Sequence, residues 1–342
     1  MTTMIDVARL AGVSGSTVSH VLNGTRPVSD DVRRRVDDAI RETGYRRNGL
    51  ARSLATQRTQ TLGLAISVLS NPYFGSLVNT IEKAATAAGY TIVLADTHDD
   101  PERELGAVGS LLDRQIDGLL LAPAAGDGAE SRVLSIIRAS HTPLVMIDRF
   151  VDYPCDQFAP ENHEPVRELT RHVIDLGHRR IGAITGVEGL STTRERTEGF
   201  HSALRDGGLD PSSALVESGQ STVRGAYDAA RRMLQSPRPP TAIVSLNNAM
   251  TIGVMQALRE RALKVPRDVA LVGFDDFEWA DSFEPRLTTM AQDIETMGSR
   301  AIRTLLERVS GADAPFVSES IKPFFKHRDS CGCNTTTTVS AT

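Results

Sequence analysis

Residues 4–29 read MIDVARLAGVSGSTVSHVLNGTRPVS. Two short apolar-periodic segments flank a Gly-Val-Ser turn. The second carries Gly15, Ser16, Thr17, Ser19 and His20 where a core helix would carry bulk. A first helix is expected over residues 5–10, stopping at Gly12. A second should follow the N-cap Ser14 and run to Leu22, broken by Asn23-Gly24. A third starts after Ser29, with Asp30 and Asp31 in a first turn where the helix dipole favours carboxylates, and ends at Gly44. Two helices joined by a tight glycine-containing turn make a helix-turn-helix.

Charge sets this stretch apart from the rest of the chain. The 342 residues carry a net −5. Up to residue 60, however, ten arginines face six acids, a local +4 that leaves −9 for the remainder. A small basic module on an acidic body is the footprint of polyanion binding by the module alone. With 40% apolar and 24% charged residues the chain is expected to be globular, in about two or three domains. No apolar run approaches the ~18 residues of a membrane span and no signal peptide opens the chain, so the cytoplasm is expected. Cys155 stands alone and Cys331 and Cys333 lie in a polar tail. They form no disulfide framework, and a C-x-C without partner ligands at metal spacing reads as exposed thiols, so neither metal nor cofactor is expected.

Residues 47–60, with Asn48 as an N-cap, can form only a short helix with little to pack, and read as a linker. From Thr61 apolar strands alternate with helices: LGLAISV, TIVLAD, DGLLLAP and PLVMID with helices near 74–88, 102–114 and 130–140. The pattern restarts with RIGAIT, TAIVSL and DVALVGF and helices near 164–176, 198–206, 223–234 and 250–261. A last helix over 294–309 closes the regular structure. Such βαβ repetition predicts parallel sheets covered on both faces, here as two doubly wound lobes with a cleft between them.

The motifs IDVARLAGVSGSTVSHVLNGTRPVS, GYRRNGLARSL, NPYF, DGLLLAP, IDR, LGHRRIG, RERTEGF, VPRDVALVGFDD and PRLTTM resemble, in order and spacing, the lactose/galactose-repressor family. The resemblance spans about residues 4–330. It implies an all-α helix-turn-helix domain over 1–46, a hinge helix or linker over 47–60, and an α/β core over 61–330 similar to periplasmic binding proteins. The N-subdomain would hold about 61–159 and 292–323, the C-subdomain about 161–290, with crossings near Ala159–Pro160, Ala291–Gln292 and Phe324; a flexible tail would cover 331–342. It further implies a homodimer on a palindromic operator, associated with the nucleoid when bound and with no membrane partner. A small effector in the cleft, a sugar or polyol first, would set operator affinity, as for a repressor of a carbohydrate-utilisation operon. Two alternatives stay open: a co-repressor-dependent regulator answering a nucleoside or phosphorylated metabolite, and, more distantly, a sugar-binding enzyme or solute-binding protein.

Small side chains on the second helix suit a major groove, where bulk would hold the backbone off. Ser16 can donate to or accept from a base edge, His20 can donate to guanine N7 or O6, and Thr17 and Ser19 can reach phosphates or a thymine methyl. Arg26 matches a DNA-contacting position in some relatives, or is a plain surface arginine. Asn48, Arg52 and Leu54 fall in the hinge motif, where the family's leucine wedges into the minor groove and favours a flexible central step. Arg47 replaces the usual proline there. Gly49 costs about 1 kcal/mol relative to alanine in a helix, so this hinge is expected to be less ordered off DNA than its relatives'.

Carried over residue by residue, the cleft takes Asn71, Tyr73 and Phe74 from NPYF, Asp148 and Arg149 from IDR, Arg196 from RERTEGF, and Asn247 and Asp275 from two strand ends of the second lobe. One aromatic wall and a polar lining suit a polyhydroxylated ligand. Each has a plainer alternative: Asp275 and Asp276 as helix caps, Asp148 as the partner of Arg149, Phe74 as core. Leu190 and Ser221 stand where purine-binding relatives have an arginine and an aromatic, which disfavours a purine. Asn248 replaces a usual aspartate, and Glu161, Asn162 and His163 depart from the usual turn at the lobe junction. Against catalysis, the chain has no Walker loop, no dinucleotide glycine fingerprint after its first strand, no H-E-x-x-H and no G-x-S-x-G elbow, so no catalytic residue is named and no enzyme is expected. A transport-type binding protein would not carry the N-terminal module. Past Val309 no heptad occurs, which favours a dimer over a coiled-coil tetramer.

Overall fold

The computed structural model describes residues 2–23, 26–45, 58–126 and 131–333. The chain divides into two compact units, residues 1–59 and 60–342. In the first, Thr3 and Asp6 cap one another reciprocally at the start of α1 (Met4–Ala11), satisfying two backbone donors. Gly12, at φ +65, ends the helix in the left-handed conformation that glycine adopts without penalty. Ser14 Oγ accepts from Thr17 N at 3.1 Å and so caps α2 (Gly15–Asn23). Ser29 caps α3 (Asp30–Thr43) in the same way through Val32 N. Val7, Ala8 and Ala11 of α1 meet Val18 and Val21 of α2 and Val36 and Ala39 of α3 in a core of small side chains, which lets the three helices approach closely.

The second unit holds two six-stranded sheets built to one plan. In the first lobe they are β1 (Thr61–Ile66), β2 (Thr91–Asp96), β3 (Gly118–Leu121), β4 (Leu144–Ile147), β5 (Asp156–Pro160) and β11 (Ser318–Ile321), ordered β11-β5-β4-β3-β1-β2. The second lobe has β6 (Ile181–Thr185), β7 (Leu215–Ser218), β8 (Ala242–Ser245), β9 (Ala270–Phe274), β10 (Thr288–Ala291) and β12 (Phe324–Lys326), ordered β12-β10-β9-β8-β6-β7. All pairings are parallel except β10 with β12. The chain passes between lobes after β5, after β10, and between β11 and β12.

Helices α4 (Pro72–Ala87), α5 (Pro101–Asp113), α6 (Arg132–Ser140) and α11 (Ile294–Val309) cover the first sheet. Helices α7 (His163–Asp175), α8 (Ser191–Asp206), α9 (Val223–Leu234) and α10 (Asn248–Glu260) cover the second. Strands β3, β4, β8 and β9 are buried along their whole length, as strands packed on both faces must be.

Three sequence expectations are corrected. Helix α8 begins at Ser191, not near residue 198, because its first turns are polar and apolar periodicity starts only at Phe200. Regular structure does not close at Val309: β11 and β12 come after it, short edge strands of mixed polarity that give little apolar signal. The C-terminal thiols are not exposed. Cys331 is buried in the core of the second lobe and Cys333 is half-buried against it.

Helices α9 and α10 pack backbone to backbone at Gly253. A Cβ there would overlap the Val223 carbonyl oxygen and come within 2.8 Å of Tyr227 N. Gly253→Ala should therefore destabilise the second unit by about 1–3 kcal/mol through overpacking, read as a lower urea midpoint at unchanged slope.

Candidate functional site

In both lobes the functional side chains sit just beyond the carboxyl ends of the strands, where open α/β sheets leave a crevice. After β1, Asn71 caps α4, its Oδ1 accepting from Tyr73 N at 3.0 Å. That cap fixes Tyr73 and Phe74 in the first helical turn, edge to face with ring centroids 4.9 Å apart. After β8, Asn247 caps α10 through Met250 N at 2.7 Å.

Asp148 after β4 and Asp275 after β9 occupy matching places in the two lobes. Both have left-handed backbones, at φ 72 and 68. Each donates its N–H at 3.0 Å to the neighbouring strand, Asp148 to Phe158 O and Asp275 to Met290 O. A non-glycine residue held there costs of order 1–3 kcal/mol, least for the short polar Asp and Asn. The strand ends thus turn both carboxylates into the gap.

All eight residues expected in the cleft line one cavity of about 210 Å³: Asn71, Tyr73, Phe74, Asp148, Arg149, Arg196, Asn247 and Asp275. Asp99, Thr192, Ser221 and Gln292 join them. Arg149 is buried, donating to Asp99 at 2.5 Å and Pro123 O at 2.6 Å, with Asp148 Oδ2 3.1 Å away. Burial opposes its charge, but the carboxylates of Asp148 and Asp99 more than offset this and raise its pKa. Arg196 donates to Asn162 Oδ1 and Leu246 O, both at 2.8 Å. It faces Asp275 at 3.6 Å and lies over the Phe274 ring at 3.9 Å.

Burial raises the Asp275 carboxyl above its ordinary range against the pull of Arg196 and a hydrogen bond from Gln292. Burial, then the charge of Asp148, holds the Tyr73 phenol well above its usual value. Gln292 Oε1 is buried without a hydrogen bond among the described residues, whereas the Tyr73 hydroxyl already leans on Asp148. The Gln292 oxygen leaves an acceptor for a guest.

Some plainer alternatives prove compatible with a place in the lining. Phe74 belongs to the core of the first lobe and Asp148 does pair with Arg149, yet both face the cavity. Asp276 is a different case: it is bound by Arg328, Lys326 and Thr289, outside the cavity lining. Reading the sequence missed Asp99 and Gln292 as lining residues and Asn162 as the residue that orients Arg196. Asn162 lies in the departing turn at the first crossing and also donates to Glu195. Its place at a lobe junction was the available signal; Asp99, in a polar loop, offered none.

On α2, Val18 and Val21 point into the helical core, while Ser16 is exposed and Thr17, Ser19 and His20 are half-buried. Ser14 Oγ lies 2.8 Å from both the Ser16 and Thr17 hydroxyls, so the capping residue also orients the first two side chains of the helix. Arg26 is exposed. Asn48, Arg52 and Leu54 lie outside the described residues, as do Arg47 and Gly49. No described helix is long and apolar enough to cross a membrane.

A three-helix module with a helix-turn-helix, and a two-lobed α/β unit closing on a polar cavity, define a ligand-responsive DNA-binding regulator. Residues 3–48 match the bacterial regulatory proteins of the lacI family and residues 170–331 a periplasmic binding protein-like domain. The chain is 37% identical over 311 residues to the ribose operon repressor of Escherichia coli K12, covering 91% of this chain and 94% of that one. It is 33% identical to the HTH-type transcriptional repressor PurR of Haemophilus influenzae PittEE, over 92% and 93% of the two chains. The lac repressor dimer bound to operator and the anti-inducer ONPF superposes with a TM-score of 0.83 at 26% identity, over 96% of this chain and 99% of that one. The protein belongs to the lacI family of bacterial regulatory proteins, whose members are transcriptional repressors and not enzymes.

Proposed function

We propose that this regulator represses a carbohydrate or polyol utilisation operon, and that a free monosaccharide held between the lobes sets its affinity for a palindromic operator. The observation that carries this reading is the matched pair of strand-end aspartates, Asp148 and Asp275, each beside an arginine and facing one cavity from opposite lobes. A sugar hydroxyl both donates and accepts, so a carboxylate beside a guanidinium suits adjacent hydroxyls. Tyr73 and Phe74 offer a wall for the apolar face of a ring.

Three carboxylates, Asp99, Asp148 and Asp275, stand against the guanidiniums of Arg149 and Arg196 in the lining, which disfavours a phosphorylated ligand. Leu190 and Ser221 line the cavity, and the resemblance implies an arginine and an aromatic at those places in purine-binding relatives, which disfavours a purine. A cavity of about 210 Å³ is smaller than the ~300–1,000 Å³ of drug-sized sites. A pentose comes first, since the relative named a ribose operon repressor covers nearly the whole chain.

Within this reading residues 1–46 form the DNA-binding domain, 47–60 the hinge and 61–330 the effector and dimerisation core. Ser16, Thr17, Ser19, His20, Arg26, Asn48, Arg52 and Leu54 contact DNA, and the bound protein is nucleoid-associated. The test is fluorescence anisotropy on the gene's own upstream DNA with pentoses, hexoses, polyols and nucleosides added. Release by a sugar supports an inducible repressor; tightening by a sugar makes that sugar a co-repressor. A response to nucleosides alone would sink the sugar reading.

The DNA side has its own signature. His20→Ala should cost about 1–3 kcal/mol on the native operator and almost nothing on random DNA, because it removes a base contact. Arg26→Ala should weaken both alike and lower the salt slope by about 1.

A further inference from the structure

We propose that His172, His327, Cys331 and Cys333 form a four-coordinate site for a zinc-class cation that clips the C-terminal arm to the second lobe. One ligand atom from each, two imidazole nitrogens and two thiol sulfurs, lies within 4.8 Å of all the others. Cys331 Sγ is 3.4 Å from His327 Nε2, and Cys333 Sγ is 3.5 Å from His172 Nε2. The two sulfurs are 2.8 Å apart, and His327 Nε2 is 2.5 Å from Cys333 Sγ.

Zinc bound at about 2.3 Å to sulfur and 2.0–2.1 Å to nitrogen sets tetrahedral edges of about 3.3–3.8 Å. Of the six edges, two of the four separations given match; the remaining pairs, His172 with His327 and with Cys331, lie within 4.8 Å. The two short separations must open by about 1 Å, and any pair near 4.8 Å must close by a similar amount, as an ion enters. Thiols are weak hydrogen-bonding groups, so bonds involving two thiols give little reason for them to converge with two imidazoles. Two sulfurs and two imidazoles in a closed set select zinc over harder cations that prefer oxygen.

Backbone hydrogen bonds and ring contacts hold the donors in place. Ser330, next to Cys331, takes Thr288 N at 2.8 Å and donates to Leu271 O at 2.6 Å. His172, in the last turn of α7, packs edge-on against Phe325 and His327, with centroids 5.1 and 5.3 Å away. Gly332, at φ +91, reverses the chain so that both cysteines face the same centre. Cys331 is buried while His327 is exposed, so the site is walled on one side and open to loading on the other. The clip falls just after β12, at the foot of the third crossing between lobes.

The experiment uses the full chain purified without chelator. Elemental analysis should find one zinc per chain. Replacement by cobalt should give the intense visible bands of a tetrahedral thiolate-bound ion. His327→Ala and Cys333→Ser should each weaken zinc binding by at least the about 10- to 100-fold that loss of an outer-shell partner costs. Unchanged far-ultraviolet circular dichroism would show that both variants fold. Three results would overturn the proposal: cobalt keeping the pale spectrum of its hydrated ion; zinc retained equally by both variants; or a Cys331–Cys333 disulfide whose reduction leaves a chain that still binds no metal.

Discussion

Arg196→Met should abolish the heat of effector binding in calorimetry while the protein still binds operator DNA. The guanidinium holds Asn162 of the first crossing, the Leu246 carbonyl and, at 3.6 Å, Asp275. Removing one partner of a buried, hydrogen-bonded charge pair costs about 2–5 kcal/mol, or some 30- to several-thousand-fold in affinity. The larger part of that comes from the carboxylate left behind. Asp275 already titrates above the ordinary aspartate range because it is buried, and Arg196 is the main influence opposing that rise. Without the arginine it would take up a proton more readily and lose part of its acceptor capacity. A double variant, Arg196→Met with Asp275→Asn, should recover thermal stability, because no buried charge is orphaned, yet still fail to bind the effector. If the double variant bound the sugar normally, neither group would be a ligand contact.

Arg328→Met should lower the stability of the second unit by about 3–5 kcal/mol and its Tm by about 10 °C. The side chain is only 7% exposed and donates to Asp276 at 2.8 and 3.1 Å, Asp281 at 2.6 and 3.1 Å, Leu287 O at 2.7 Å and Thr289 Oγ1 at 3.0 Å. Burial alone would raise the Asp276 carboxyl; hydrogen bonds from Arg328, Lys326 and Thr289 reverse this and hold it below the usual aspartate range. A carboxylate depressed in the folded state contributes stability that is full above its unfolded pKa and vanishes as pH falls through the folded one. The gap between wild type and variant should therefore be widest near neutrality and narrow below about pH 3.9. A pH-independent gap in denaturant melts would mean that Arg328 acts through packing alone.

What could be read from the residues tracked how local each signal was. The three N-terminal helices were legible almost to the residue, since Ser14, Ser29, Gly12 and Gly44 are caps whose chemistry acts over one turn. The two-lobed plan was legible because buried parallel strands are continuous apolar runs. The eight cleft residues needed the family resemblance as well as their places at strand ends. Edge strands were less visible: β7 alternates half-buried with exposed residues, and β11 shows one buried position.

The expectation of exposed thiols fails for a physical reason. Spacing within the tail offers no further ligand, because His172 lies 161 residues from Cys333 and meets it only when α7 docks against the arm. Asp99 was hidden in the same way, since a polar loop residue carries no periodicity and its partners are set by tertiary contact.

The matched aspartates have a consequence for how a signal is told from a bystander. Each lobe supplies half of a pincer: Asp148 with Arg149 on one side, Asp275 with Arg196 on the other. A guest that grips both halves gains the second grip at high effective concentration, and that surplus is the work available for pulling the lobes together. A molecule complementary to only one half would occupy the cleft without drawing the other in. It would compete with the true effector and leave transcription unchanged.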